Sequence, residues 1–105
     1  MVIYSVTVRI KKEVEEEWLQ WMKETHIPAV LSTKYFVNCE MFKVLIPEVG
    51  ESVAMYKMKY FTDTFENYLD YQKNNAAKLQ ASHNNKYQGK FTASREVMEY
   101  ICSIK

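Results

Sequence analysis

Glycine is nearly missing from this chain of 105 residues, which has only Gly50 and Gly89. Phosphate-cradling loops and dinucleotide fingerprints need glycines in clusters, so both are excluded. Proline is as sparse, with Pro28 and Pro47 alone, and no internal repeat, linker or low-complexity stretch interrupts the sequence. The two cysteines, Cys39 and Cys102, form no C-x-x-C pair, so a zinc knuckle and a thioredoxin-like motif are out. Without a secretory context both are expected to be reduced and buried or half-buried, with a disulfide between them left open. The two histidines, His26 and His83, lack an HxxxH or HExxH spacing; no metal and no cofactor is expected. No Ser or Cys stands in a Gly-rich elbow, so no nucleophile triad is readable. Charge of one sign is missing too: the net charge is +1 and the lysines are scattered, which argues against a nucleic-acid partner. No apolar run reaches membrane-spanning length. Met1 leads into Val2-Ile3-Tyr4-Ser5-Val6 without a basic region or cleavage site, so a cytoplasmic protein with no membrane partner is expected.

What is present is a domain's worth of core. The length suits a single domain, 1–105, that needs neither disulfide nor metal to hold a core. Aromatic residues reach 14%, with eight Tyr, five Phe and two Trp, and six Met accompany them. Such side chains fill a core or coat an interface or pocket.

Val2 to Ile10 alternates: Val2, Tyr4, Val6, Val8 and Ile10 oppose Ile3, Ser5, Thr7 and Arg9, which is the period of a half-buried strand. Glu13, Glu15, Glu16 and Glu17 then load the first turns of a helix, where the macrodipole favours negative charge. Val14, Trp18, Trp21, Met22 and Thr25 form its apolar stripe, with His26 on the stripe's edge. Pro28 is expected either to end or kink the helix beside His26, or to open a short second helix, 29–32. Residues 35–46 and 52–61 read as a hairpin around a Pro47–Glu51 turn. Asp63 is an expected N-cap with Glu66 in capping-box position. The helix it opens carries the stripe Phe65, Leu69, Gln72, Ala76, Leu79, His83 and Tyr87. Residues 91–102 close the chain as a strand.

The order β-α-β-β-α-β predicts an α+β, ferredoxin-like sandwich: a four-stranded antiparallel sheet with two helices on one face. The other face would still carry apolar and aromatic residues from every strand. A second copy of the chain is the simplest cover, so a homodimer through the helix-free sheet face is expected, two sheets forming a dimeric α+β barrel.

Particular residues are familiar as well. Val2-Ile3-Tyr4-Ser5-Val6-Thr7-Val8, the run from Trp18 through Trp21, Met22 and His26 to Pro28, His83 with Tyr87, and Gly89-Lys90-Phe91 with Ala93 and Arg95 resemble the domain-of-unknown-function family 4286. These are small bacterial proteins of dimeric α+β barrel type. The Trp-x-x-Trp-Met-x-x-x-His-x-Pro run is the specific part, and the resemblance covers nearly the whole chain. It implies a cytoplasmic homodimer with a ferredoxin-like subunit and implies no activity. The wider fold group holds cofactor-independent monooxygenases, haem-degrading enzymes, lactone isomerases and stress-response proteins, but a shared fold is not evidence of shared chemistry.

His26 and His83 are the candidate catalytic residues, because imidazole exchanges protons near neutrality; the alternative is two structural histidines, one finishing a helix and one bonded to backbone. Arg95, if it faces inward, needs a carboxylate or an anionic ligand; Glu24, Glu96 or Glu99 could pair with it, or it could lie on an exposed sheet edge. Tyr4, Trp18, Trp21 and Tyr56, with Tyr60 and Phe65, could wall an apolar ligand pocket or simply be aromatic core. Two functions follow: a homodimer that binds a small apolar or aromatic molecule, or a cofactor-independent monooxygenase- or isomerase-like enzyme with His26 or His83 as general base. Both imidazoles opening into one ligand-sized cavity would favour the enzyme; two packed histidines with no cavity would count against it.

Overall fold

The alternating first segment becomes β1, Val2–Lys11, and it lies inside the sheet. In the computed structural model, which describes residues 1–105, β2 is Asn38–Lys43, β3 is Val53–Thr62 and β4 is Phe91–Glu99. The strand order is β2-β3-β1-β4 and every pair is antiparallel. Both helical segments pack on one face, where Tyr4, Val8 and Ile10 of β1 are buried with Ala54, Tyr56, Met58 and Tyr60 of β3. This is the expected ferredoxin-like architecture.

Each helical segment contains a π-helical turn. The first runs from a 3₁₀ turn at Lys12–Val14 through α1, Glu15–Trp21, a π turn at Met22–His26 and α2, Ile27–Leu31. Of the two places expected for Pro28 the second is found: it occupies the first turn of the short helix α2, which continues from α1 through the π turn. In a straight α-helix its ring would clash with the carbonyl four residues back. Here the Ile27 N–H donates five residues back, to the Met22 carbonyl, and the widened turn accommodates the ring. The second segment is α3, Phe65–Tyr71, a π turn at Gln72–Ala76 and α4, Ala77–Lys86. Its cap is Thr64, not Asp63: the Thr64 hydroxyl accepts from the Asn67 N–H at 3.1 Å.

The second π turn corrects the expected stripe. Phe65 and Leu69 are 49% and 47% exposed, while Tyr71 is buried and Tyr68 is half-buried against the core. A π turn inserts one extra residue, so a pattern that is in phase at His83 and Ala76 is one residue out of phase before Gln72. The hairpin is also shorter than residues 35–46 promised. Phe36 leaves the sheet plane to join an aromatic cluster, its ring 4.9 Å from Tyr71 and 5.4 Å from Tyr60. Cys39 is half-buried and Cys102 is exposed, not buried; both are free thiols.

The helix-free face is more mixed than expected. By register it presents a row of Asn38, Phe61, Ile3 and Met98, apolar but for Asn38, then a charged row of Glu40, Lys59, Ser5 and Glu96. Phe42, Lys57, Thr7 and Ser94 follow, and the last row is Met55, Arg9 and Thr92.

Candidate functional site

His26 and His83 meet between the helices and the sheet, with ring centroids 5.6 Å apart. Different elements deliver them. His26 is the last residue of the first π turn, which rotates it inward in place of the exposed Thr25. His83 stands on α4 and packs edge-on against Phe91 of β4 at 4.4 Å.

Their partners set their chemistry. The Trp18 indole Nε1–H donates to His83 Nε2 at 2.9 Å, and Trp18 is fully buried. An indole nitrogen can only donate, so this contact makes Nε2 an acceptor and leaves the ring proton on Nδ1. Trp21 lies behind His26, its ring stacked at 5.2 Å and 28°. The His26 imidazole has no hydrogen-bond partner, and it is the ring left with a free lone pair. Burial pushes His26 down to about 4, helped by the Arg95 charge. Burial also brings His83 to about 4, helped by His26 and, more weakly, by Arg95, against an opposing hydrogen bond that the ring donates to the Asn84 side chain. Both rings are neutral at pH 7.

They share one cavity of about 30 Å³. Val6, Val8, Met58 and Ala93 give its sheet wall, and Met22 and Val30 its helix wall. The polar groups on it are His26, His83, Tyr4, Tyr60, Tyr71, Gln80 and Arg95. A water needs roughly 10–15 Å³ by this measure, so there is room for two or three. The cavity is therefore shared by both imidazoles, yet it is water-sized rather than ligand-sized.

Of the aromatic side chains expected as a wall, Tyr4 and Tyr60 line the cavity; Trp18, Trp21, Tyr56 and Phe65 do not. Trp18 and Trp21 stand one layer back, holding the histidines. Tyr56 is engaged elsewhere, its hydroxyl donating to the Glu15 carboxylate, which also pairs with Lys43 at 3.3 Å. Two wall residues lie off the expected stripe: Tyr71 enters through the five-residue step of the second π turn, and Gln80 stands beside Leu79 on α4, in phase with Ala76 and His83.

Arg95 faces the helix side of β4, opposite Val6 of β1, and reaches the cavity's outer edge. None of Glu24, Glu96 and Glu99 pairs with it; the chain's ion pairs are Lys43–Glu15 and Lys90–Glu13. Burial raises the Tyr4 hydroxyl above its ordinary value, and the Arg95 charge offsets part of that rise. No three His, Cys, Asp or Glu side chains converge to hold a metal.

Solved structures share this fold. A dimeric ferredoxin-like protein from an uncultured marine organism superposes with a TM-score of 0.70 at 14% identity, over 100% of this chain and 99% of its own. The heme-degrader MhuD from Mycobacterium tuberculosis, solved with two hemes in its active site, gives 0.68 at 17% identity over the whole of both chains. An ethyl tert-butyl ether d (EthD) family protein from Bacillus halodurans gives 0.64 at 16% identity, over 96% of this chain and 100% of its own. At such identities the likeness is one of fold. No curated protein matches the sequence. Residues 1–101 match the family described as Domain of unknown function (DUF4286), and the chain belongs to it.

Proposed function

We propose that the protein is a homodimer of the bacterial cytoplasm that binds a small apolar or aromatic molecule in the cavity between helices and sheet. The observation that carries this reading is the convergence of two neutral imidazoles and an arginine without a carboxylate partner on one largely apolar cavity. Ligand sites are built this way, with an apolar wall and a few converging polar groups. At about 30 Å³ the cavity opens further when it binds, and the side chains that give way are flexible ones, Met22 and Met58. The residues present do not fit a heme such as MhuD holds, because a water-sized space has no room for a macrocycle.

The test is native mass spectrometry of protein purified from its own host, followed by thermal-shift measurements with any mass adduct found. The ligand is expected to raise the Tm of the wild type and to lose that effect in His26→Ala. A host-purified protein without an adduct, and with no shift from a small-aromatic library, sinks the reading.

A second reading is favoured by one feature of His26. Its nitrogen lone pair is unengaged at neutral pH, as a general base requires. A cofactor-independent isomerase- or monooxygenase-like enzyme would use His26 to take a proton from the bound molecule. His83, its Nε2 already committed to Trp18, would hold the substrate through Nδ1–H. Under this reading His26→Gln abolishes turnover of the bound molecule while its thermal shift persists; a variant with full turnover removes His26 as base.

A further inference from the structure

We propose that the molecule taken by this cavity is an organic anion: an apolar or aromatic body with a carboxylate, or an oxyanion of similar size, seated against Arg95. The inference rests on the ligand-binding reading above and names the chemical class of the ligand.

Charge is the first argument. The cavity wall contains one cation, Arg95, and no Asp or Glu. The acids nearest in sequence are turned away by the fold. Glu96 alternates onto the helix-free face, where it aligns with Ser5 of β1. Glu99 shares the face of Arg95 but lies four residues along the strand, roughly 13 Å away at ~3.3 Å per residue. Glu24 is on the first helical segment, within 3.4 Å of the Gln20 amide, and not paired with Arg95. Arg95 thus presents its planar donor fork at the cavity edge with no carboxylate to pair it, only the neutral Tyr4 hydroxyl as an acceptor.

The second argument is the donor set around that fork. Arg95 acts electrostatically on four cavity groups, Tyr4, Tyr71, His26 and His83. Tyr4 offers a hydroxyl that burial keeps protonated, and His83 carries its proton on Nδ1, shared with the Asn84 side chain, because Trp18 occupies its other nitrogen. A guanidinium, a phenol and an imidazole N–H are all donors, and what they jointly recognise is an acceptor with more than one lone pair. Arg–carboxylate pairs, often bidentate, are the strong form of that recognition.

The experiment uses a matched pair of probes, phenylacetate and phenylacetamide, alike in shape and differing in charge. Titrations of the intact protein are followed by the NMR shifts of the two histidine rings and by tryptophan fluorescence, since Trp21 stacks on His26. Phenylacetate is expected to bind about tenfold or more tightly than the amide, the size of one charge-assisted hydrogen bond. Arg95→Gln, at an exposed position that leaves the core untouched, is expected to level the two probes, and Arg95→Lys to restore part of the preference. If both probes bind the wild type equally, or the preference survives in Arg95→Gln, the anion inference is wrong while ligand binding stands. If neither probe moves the histidine signals, the binding reading itself falls and takes this inference with it.

Discussion

His83 is held in one tautomer by a neighbour that can only donate. The Trp18 contact at 2.9 Å joins α1 to α4 through the core. Trp18→Phe keeps most of the packing and removes the N–H, leaving a buried acceptor unpaired at a cost of about 1–3 kcal/mol. Long-range ¹H–¹⁵N spectra should show the Nδ1–H form alone in the wild type and a mixture of tautomers in the variant; a mixture already present in the wild type would dissolve the argument. The same burial makes stability depend on pH. Both rings titrate near 4 in the folded chain and near 6.5 when unfolded. Between those values the unfolded chain takes up protons that the folded one refuses, so stability is full above about 6.5 and falls as the pH drops towards 4. Each ring contributes roughly 3 kcal/mol at most. Thermal melts from pH 7.5 to 4.5 should show the decline, and His26→Gln should lessen it by removing one of the two contributions. A Tm independent of pH across that window would mean that the rings are solvated.

At the scale of the element, the two π turns decide what the cavity wall contains. Removing Asn74, an exposed residue within the second turn, should convert it to ordinary α-helix and rotate Tyr68 and Tyr71 off the core. Far-UV circular dichroism should stay helical while stability drops by about 3–5 kcal/mol, the scale of losing a large buried aromatic; an unchanged Tm would show that the phase is set elsewhere. A milder change, Thr64→Ala, removes the cap on Asn67 and should cost about 1 kcal/mol in chemical denaturation. These turns also mark where sequence reading stopped. Strand alternation in Val2–Ile10, the acidic helix start and the register of His83 all have periods of 2 or 3.6, and all were legible. A five-residue step has no signature in hydrophobic spacing. Such spacing therefore places Phe65 and Leu69 inward and hides Tyr71, whereas Gln80, in phase with Ala76 and His83, is hidden by its polarity. The face of Arg95 needed the pairing of β4 with β1, which alternation alone does not provide.

For the whole molecule the open matter is what covers the sheet's second face. A monomer leaves the row Phe61, Ile3 and Met98 without helices over it, together with Phe42 and Met55. The adjoining row alternates in charge across the strands: Glu40, Lys59, the small Ser5, then Glu96. The Ser5 hydroxyl is buried between them without a partner. An acid–base–acid row beside an apolar row can complement a copy of itself after a twofold rotation, because Lys59 of each chain then finds an acid on the other. Light scattering at micromolar concentration should give about twice the mass of one chain. Ile3→Asp places a charge in the apolar row, where pairing would bury it without a partner, and should yield a folded species of single-chain mass. Lys59→Glu should weaken the dimer less, and a compensating Glu96→Lys in the same chain should recover part of the loss. A wild-type chain that scatters as a monomer would sink the face-to-face arrangement. A dimer indifferent to Ile3→Asp would move the interface off this face, towards the exposed apolar side chains of Leu45, Ile46, Ile101 and Ile104.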